Sequence, residues 1–115
     1  MEAARHFFTL ERRGADGVTL RAKLEHIAST TKRRPAALDG PEIPPQAAHV
    51  FGWFLELNQG RRSNGFGLDP LGWGDIRDWS ALTSTELRPH EVRLLKRLDT
   101  TFLNVMNTKE SADGN

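Results

Sequence analysis

The chain has 115 residues, which is enough for one domain of ordinary size with a less ordered end. Its composition, 37% hydrophobic and 27% charged, excludes disorder throughout. The sequence contains no Cys, which excludes disulfides and Cys-based zinc sites, and no window approaches the roughly 20 apolar residues of a membrane span. We therefore expect a cytosolic protein with no membrane segment.

The net charge of +1 is unevenly distributed along the chain. Residues 1–34 contain eight Lys/Arg and four Asp/Glu, whereas residues 35–115 contain eight and eleven. A basic first third is compatible with an acidic partner or with nucleic acid. Solvated helix faces explain the same excess, and a dedicated DNA-binding domain usually has a larger one. Nucleic acid is therefore not the expected partner.

The first third of the chain is predicted to form two helices and a connector. Residues 2–12 have apolar residues at helical spacing. Thr19 is placed to accept a backbone N–H at the start of the next helix, and Pro35 ends that helix. Four prolines in residues 35–45 exclude a regular helix there. The second helix carries a stripe spaced for burial, formed by Leu20, Leu24, Ile27 and Thr31.

Three further helices are predicted in the rest of the chain. The first runs from about Pro45 to Asn58 and is apolar over more than half of its circumference. A Gly- and Asn-rich loop follows, and we expect its Phe66 to fold back onto the core. A short helix from about Gly74 has three apolar residues on one side, and the last helix begins at Pro89. The three apolar residues are Ile76, Trp79 and Leu82.

These elements predict an all-α protein with three regions. Residues 1–44 form an N-terminal helical arm and a Pro-rich connector. Residues 45–107 form a small, compact helical bundle, to which Trp53, Trp73 and Trp79 supply bulky side chains. Residues 108–115 are polar and are expected to be a disordered tail.

No motif in the sequence indicates catalysis. The four His residues lack the spacing of a helical metal motif such as H-E-x-x-H. Asp75 and Asp78 are three residues apart, but Asp75 fits the first turn of a helix better than it fits a catalytic pair. The glycine-rich stretches lack the phosphate-loop pattern, and the absence of Cys removes thiol nucleophiles. We predict no enzyme activity, no catalytic or metal-binding residues and no cofactor, with an unrecognised hydrolase or metal enzyme as a minor alternative.

Surface residues are the remaining candidates for function. Phe7 and Phe8 lie in an arm that is short for burying both, and exposed paired aromatics often mark a protein interface. Packing of the two rings against the body is the alternative. Pairs of Arg beside aromatics also suit a contact surface, although solvated Arg beside core rings is the favoured explanation of these pairs. The predicted partner-binding residues are Phe7, Phe8, Arg33, Arg34, Arg61, Arg62 and Phe66.

Three runs of residues, taken in order, resemble a family of tail assembly chaperones of long, non-contractile phage tails and related prophages. Each run consists of ordinary core and cap residues, so the resemblance rests on their order over residues 16–106. The sequence departs from the pattern at Gly74, before Asp75, and at Thr83-Ser84-Thr85-Glu86, where a glycine-containing turn is expected. The runs are 16–21 with 30–35, then 44–57 with Arg61 and 64–67, then 76–79 with 82–83 and 87–103.

The resemblance implies a non-enzymatic role. Such chaperones coat the tape measure protein and recruit major tail protein subunits before the tube polymerises, and they are absent from the finished virion. It therefore implies tail proteins as partners in the host bacterial cytoplasm, leaves self-association open, and transfers no active site. The alternative is a small nucleic-acid-binding or regulatory phage protein that uses the basic N-terminal third.

Overall fold

The computed structural model describes residues 2–13 and 16–113, with side chains described as far as residue 107. No strand forms within these ranges, and two short 3-10 turns lie in the Pro-rich segment, at Ala36–Leu38 and Pro45–Ala47. The all-α prediction is confirmed. The five helices are α1 (Glu2–Glu11), α2 (Leu20–Thr31), α3 (Ala48–Gln59), α4 (Trp73–Thr83) and α5 (Pro89–Asp113).

The chain folds as two compact units. The central unit is Ile43–Leu103 and contains α3, α4 and the first part of α5. The terminal unit consists of the described residues on either side of it, with α1, α2 and the last part of α5. The backbone of the expected tail continues α5 to Asp113, while residues 114 and 115 lie outside the described residues. Disorder of that tail stays a prediction.

The start of α2 is as predicted, whereas the start of α3 differs from the prediction. The Thr19 hydroxyl accepts the backbone N–H of Ala22 at 3.1 Å, which confirms Thr19 as the N-cap of α2. Pro45 opens a 3-10 turn rather than the α-helix itself, and α3 begins three residues later. That turn is closed by the N–H of Ala47, which donates to the carbonyl of Pro44 at 2.9 Å.

In the terminal unit, α1 packs against α2, and α2 packs against the turn at Ala36–Leu38. The buried residues of the terminal unit lie on α1, the turn and α5, and none lies on α2. The predicted buried stripe on α2 is therefore wrong, and Ile27 is 46% exposed. The neighbours of α2 are short elements that leave this helix partly uncovered. The buried apolar residues are Ala4, Phe8, Leu10, Leu38 and Val105.

In the central unit, α3 buries four of its apolar side chains, whereas Trp53 and Leu55 are half-buried. The rings of Phe54 and Phe102 lie 5.9 Å apart, and those of Trp53 and Trp79 lie 6.0 Å apart. Trp73 is exposed and does not serve as a core residue. The buried apolar residues are Val50, Phe51, Phe54, Leu57, Leu71, Ile76, Leu95 and Leu98.

The loop after α3 forms an ordered turn that carries Phe66 at its tip. The side-chain oxygen of Asn64 accepts the backbone N–H groups of Phe66 and Gly67, at 2.8 and 3.0 Å. Gly65 has a φ of +89°, which favours glycine. Because the turn closes on itself, Phe66 is held away from the core and is 99% exposed. The expectation that it folds back is wrong.

Candidate functional site

A pocket of about 380 Å³ lies in the central unit, between the end of α3, the loop that follows and α4. This volume lies within the range of ligand pockets in proteins. All of its lining residues belong to the central unit. They are Glu56, Leu57, Gly60, Arg61, Arg62, Asp69, Pro70, Leu71, Gly72, Asp75, Asp78, Trp79 and Leu82.

One wall of the pocket is built on a buried ion pair. Arg61 Nη2 donates to Asp99 Oδ1 at 2.5 Å, and both side chains are 4% exposed. Arg61 also donates to the side chain of Asn58 and to the carbonyl of Asp69, at 2.7 and 2.8 Å. Asp99 accepts the backbone N–H of Leu71 at 3.0 Å. Buried charges are tolerated when they are paired and hydrogen-bonded, and these contacts attach the loop between α3 and α4 to Asp99 on α5.

A second wall is the start of α4, which is capped by Asp75. The backbone N–H of Gly72 donates to Asp75 Oδ2 at 2.8 Å, and Arg62 Nη2 donates to Asp75 Oδ1 at 2.8 Å. The N–H of Gly72 and then the charge of Arg62 lower the pKa of Asp75 below its usual value. The predicted first-turn role of Asp75 is confirmed, and the cap offsets the presence of Gly74 in the first turn.

The pocket lining includes an exposed apolar side chain. Leu82, near the end of α4, lines the pocket and is 86% exposed. Ile76, on the same helix, is buried; six residues place the two side chains roughly 120° apart around the helix axis, so they lie on different sides of it. Trp79 lies between them in sequence, and its buried Nε1 has no hydrogen-bond partner among the described residues.

The charges that line the pocket are unbalanced. Its two cations are already paired, Arg61 with the buried Asp99 and Arg62 with Asp75. The carboxylates of Glu56 and Asp69 form no ion pair with any described residue. Four carboxylates and two guanidinium groups line the pocket, so its charge is net negative even with Lys96, whose Nζ donates to the carbonyl of Leu71 at 2.6 Å.

A further polar contact of the central unit joins α3 to the start of α5. His49 Nε2 lies 2.8 Å from Glu91 Oε2, and the backbone N–H of Arg88 donates to Glu91 Oε1 at 2.9 Å. The N–H of Arg88 and then the contact with His49 lower the pKa of Glu91 below its usual value. The sequence carries no signal for this contact, because the two residues are 42 positions apart.

Two of the three aromatic residues predicted for partner contact, Phe7 and Phe8, lie on different sides of α1. Phe8 is 2% exposed and Phe7 is partly buried, with their ring centroids 6.0 Å apart. The guanidinium of Arg21, on α2, lies 5.8 Å from the Phe7 ring. Because α2 packs against α1, the arm is not too short to bury an aromatic ring. The prediction that both rings are exposed is therefore wrong, and partner contact by Phe7 stays a prediction.

The predicted basic residues also separate. Arg33 and Arg34 are exposed in the terminal unit, where Arg34 pairs with Asp39 at 2.9 Å. Arg62 is 76% exposed at the pocket, whereas its neighbour Arg61 is buried. The prediction of Arg61 as a surface contact residue is wrong, because its guanidinium is used within the fold. The structure brings Arg61 and Arg62 together at the pocket, and Phe66 does not line it.

The described residues offer neither a metal site nor a membrane-spanning helix. No group of three or more His, Asp or Glu side chains among them is placed to hold a metal ion. Within the same ranges, no helix has both the length and the apolar character that crossing a membrane requires.

Comparison with known proteins returned one family. Residues 27–104 match the family model described as phage tail assembly chaperone. The match covers more than half of the chain and includes the whole central unit with its pocket, but not α1. No curated protein and no solved structure matched the chain.

Proposed function

The chain belongs to the phage tail assembly chaperone family, and from this premise we propose that it binds tail proteins during tail morphogenesis without a catalytic step. The proposed partners are the tape measure protein, the major tail protein, or both. The family match over residues 27–104 is the observation that carries the proposal. We place its action in the host bacterial cytoplasm, before the tube polymerises, and propose that it is absent from the mature virion.

The surface of the central unit supports a binding role. Phe66, Trp73 and Leu82 are large apolar residues that the fold leaves exposed. Exposed apolar residues next to a pocket are typical of surfaces that contact other proteins. A chaperone needs such a surface, because subunits that await assembly expose apolar area that they later bury in the tube.

The proposal is tested by retention of purified tail proteins on the immobilised full-length chain. The tape measure and major tail proteins of the same phage are applied separately after nuclease treatment, over a range of salt concentrations. We expect at least one of them to be retained, with weak dependence on salt, because apolar contact is little screened.

Two results would overturn the proposal. One is that neither tail protein is retained. The other is that retention disappears after nuclease treatment or falls steeply with added salt, which is the behaviour of a phosphate-driven complex and favours the nucleic-acid alternative.

A further inference from the structure

We propose that the pocket of the central unit binds a tail-protein segment in which an apolar side chain is flanked by Lys or Arg. This inference rests on the proposed function and adds the place and the chemistry of contact. It is drawn from two features of the pocket: an exposed leucine in its lining, and lining carboxylates that form no ion pair with any described residue.

The apolar part of the proposed segment is indicated by Leu82. This side chain is 86% exposed although it lines a concave site on an ordered helix. An apolar side chain of the partner that contacts Leu82 would remove both from water. Trp79 lines the same pocket and adds apolar ring surface to it.

The basic part of the segment is indicated by the charges of the lining. Arg61 and Arg62 are neutralised by carboxylates of the protein itself, which leaves them little capacity to attract an anion. Glu56 and Asp69 have no ion-pair partner in the part of the chain that the structure describes. Lys or Arg in the partner would complement these carboxylates, whereas a phosphate or an acidic segment would be repelled.

The position of the pocket agrees with this assignment. Every residue that lines it lies within residues 27–104, the part of the chain that matches the family. Arg33 and Arg34, the exposed basic pair of the terminal unit, are positively charged, whereas the unpaired groups of the pocket are carboxylates. A basic partner segment is therefore attracted to the pocket and not to that pair.

The test uses the full-length chain and overlapping peptides from the tape measure and major tail proteins of the same phage. Binding is measured by fluorescence anisotropy for wild type, for Leu82→Ser, and for Glu56→Gln combined with Asp69→Asn. The matched controls are Ile27→Ser, which removes an exposed apolar side chain of the terminal unit, and Glu86→Gln, which removes a carboxylate outside the pocket.

We expect the bound peptides to contain Lys or Arg beside an apolar residue. Leu82→Ser should lower the affinity for these peptides roughly tenfold, which is the effect of a residue central to an interface. The double carboxylate variant should lower the affinity severalfold and make binding less dependent on salt, because it removes the ion pairs that salt screens. Both controls should bind like wild type, and all variants should keep the wild-type circular dichroism spectrum.

Three results would overturn the inference. The first is that the bound peptides prove to be acidic. The second is that the pocket variants bind the peptides like wild type. The third is that these variants instead lose binding to a single-stranded oligonucleotide. If the intact tail proteins still bind wild type and variants equally, the proposed function stands and the pocket assignment fails. If no tail protein or peptide binds wild type, both fail.

Discussion

Arg61 and Arg62 are adjacent in sequence but have different physical roles. Arg61 is enclosed with Asp99, and each charge depends on the other because neither has access to water. Arg62 is mostly solvated and its pair with Asp75 lies at the surface. No local pattern distinguishes the two residues, since the partner of Arg61 is 38 positions away.

Replacing Arg61 with Ala should lower the free energy of unfolding by about 3–5 kcal/mol, because it leaves the Asp99 carboxylate buried and unpaired. Arg62→Ala is the matched control and should change it by less than about 1 kcal/mol, the range of exposed ion pairs. Urea denaturation of the two variants checks the difference. Equal stabilities would show that the Arg61 pair is not a buried one.

Phe7 and Phe8 allow a similar comparison in the terminal unit. Phe8→Ala should destabilise the protein by about 3–5 kcal/mol, the usual cost of deleting a buried aromatic ring. Phe7→Ala should cost less because this ring is partly exposed, and the exposed Phe66→Ala should leave the melting temperature unchanged. Thermal unfolding measures all three. A Phe8→Ala variant that melts like wild type would return Phe8 to the candidates for partner contact.

At the level of helices, the ends of α4 show how the chain accommodates its departures from the family pattern. Ser84 follows the helix with a φ of 53°, the left-handed conformation that glycine usually supplies at this position. The N–H of Thr85 donates to the carbonyl of Ser80 at 2.9 Å, so the turn closes without glycine. Ser84 therefore ends α4 in the backbone conformation that a glycine would supply.

Ser84→Gly should therefore raise the free energy of unfolding by about 1 kcal/mol, since it removes the cost of a left-handed non-glycine residue. Thr83→Gly is the control and should be destabilising, because Thr83 is within the helix. Chemical denaturation measures both. A Ser84→Gly variant less stable than wild type would show that the serine contributes more than its backbone conformation.

Glu91 at the start of α5 predicts a dependence of stability on pH. Its pKa in the folded protein is lowered from the ordinary value of 4.5, so its contribution is complete above that value. The contribution is lost as the pH falls below 4.5 and through the lowered pKa of the folded state. Stability should decline over this interval.

Glu91→Gln should make that decline shallower, since glutamine accepts the N–H of Arg88 without titrating. The control is Glu86→Gln, which leaves both contacts of Glu91 intact. Urea denaturation at a series of acidic pH values provides the comparison. Superimposable pH profiles for wild type and Glu91→Gln would contradict the assigned pKa shift.

The positions of the helices were largely predictable because their signals are local. Thr19 as a cap, Asp75 in a first turn and Pro89 at a helix start are read from neighbours in sequence, and all three predictions are confirmed. Which face of a helix is buried depends on distant elements. The exposure of the α2 stripe and of Leu82 could not be predicted, because it depends on which elements pack against these helices in the fold.

On the scale of the whole molecule, the sequence predicted the fold class and the family but not the site. Leu82 is an ordinary apolar helix residue in the sequence, and nothing there marks Glu56 or Asp69. Only the fold brings these residues to one pocket, between the end of α3, its loop and α4. The predicted contact residues followed from local patterns, namely aromatic residues and adjacent Arg pairs, which do not show which side chains the fold buries.

The most direct test of the account is a count of assembled tails by electron microscopy, in lysates of a phage from which this gene is deleted. We expect no tails without the gene, restoration by the wild-type chain, and poor restoration by Leu82→Ser compared with Ile27→Ser, which alters an exposed apolar residue of the terminal unit. Mass spectrometry of the purified tails should not detect the chain. Normal tails from the deleted phage would contradict a role in tail assembly.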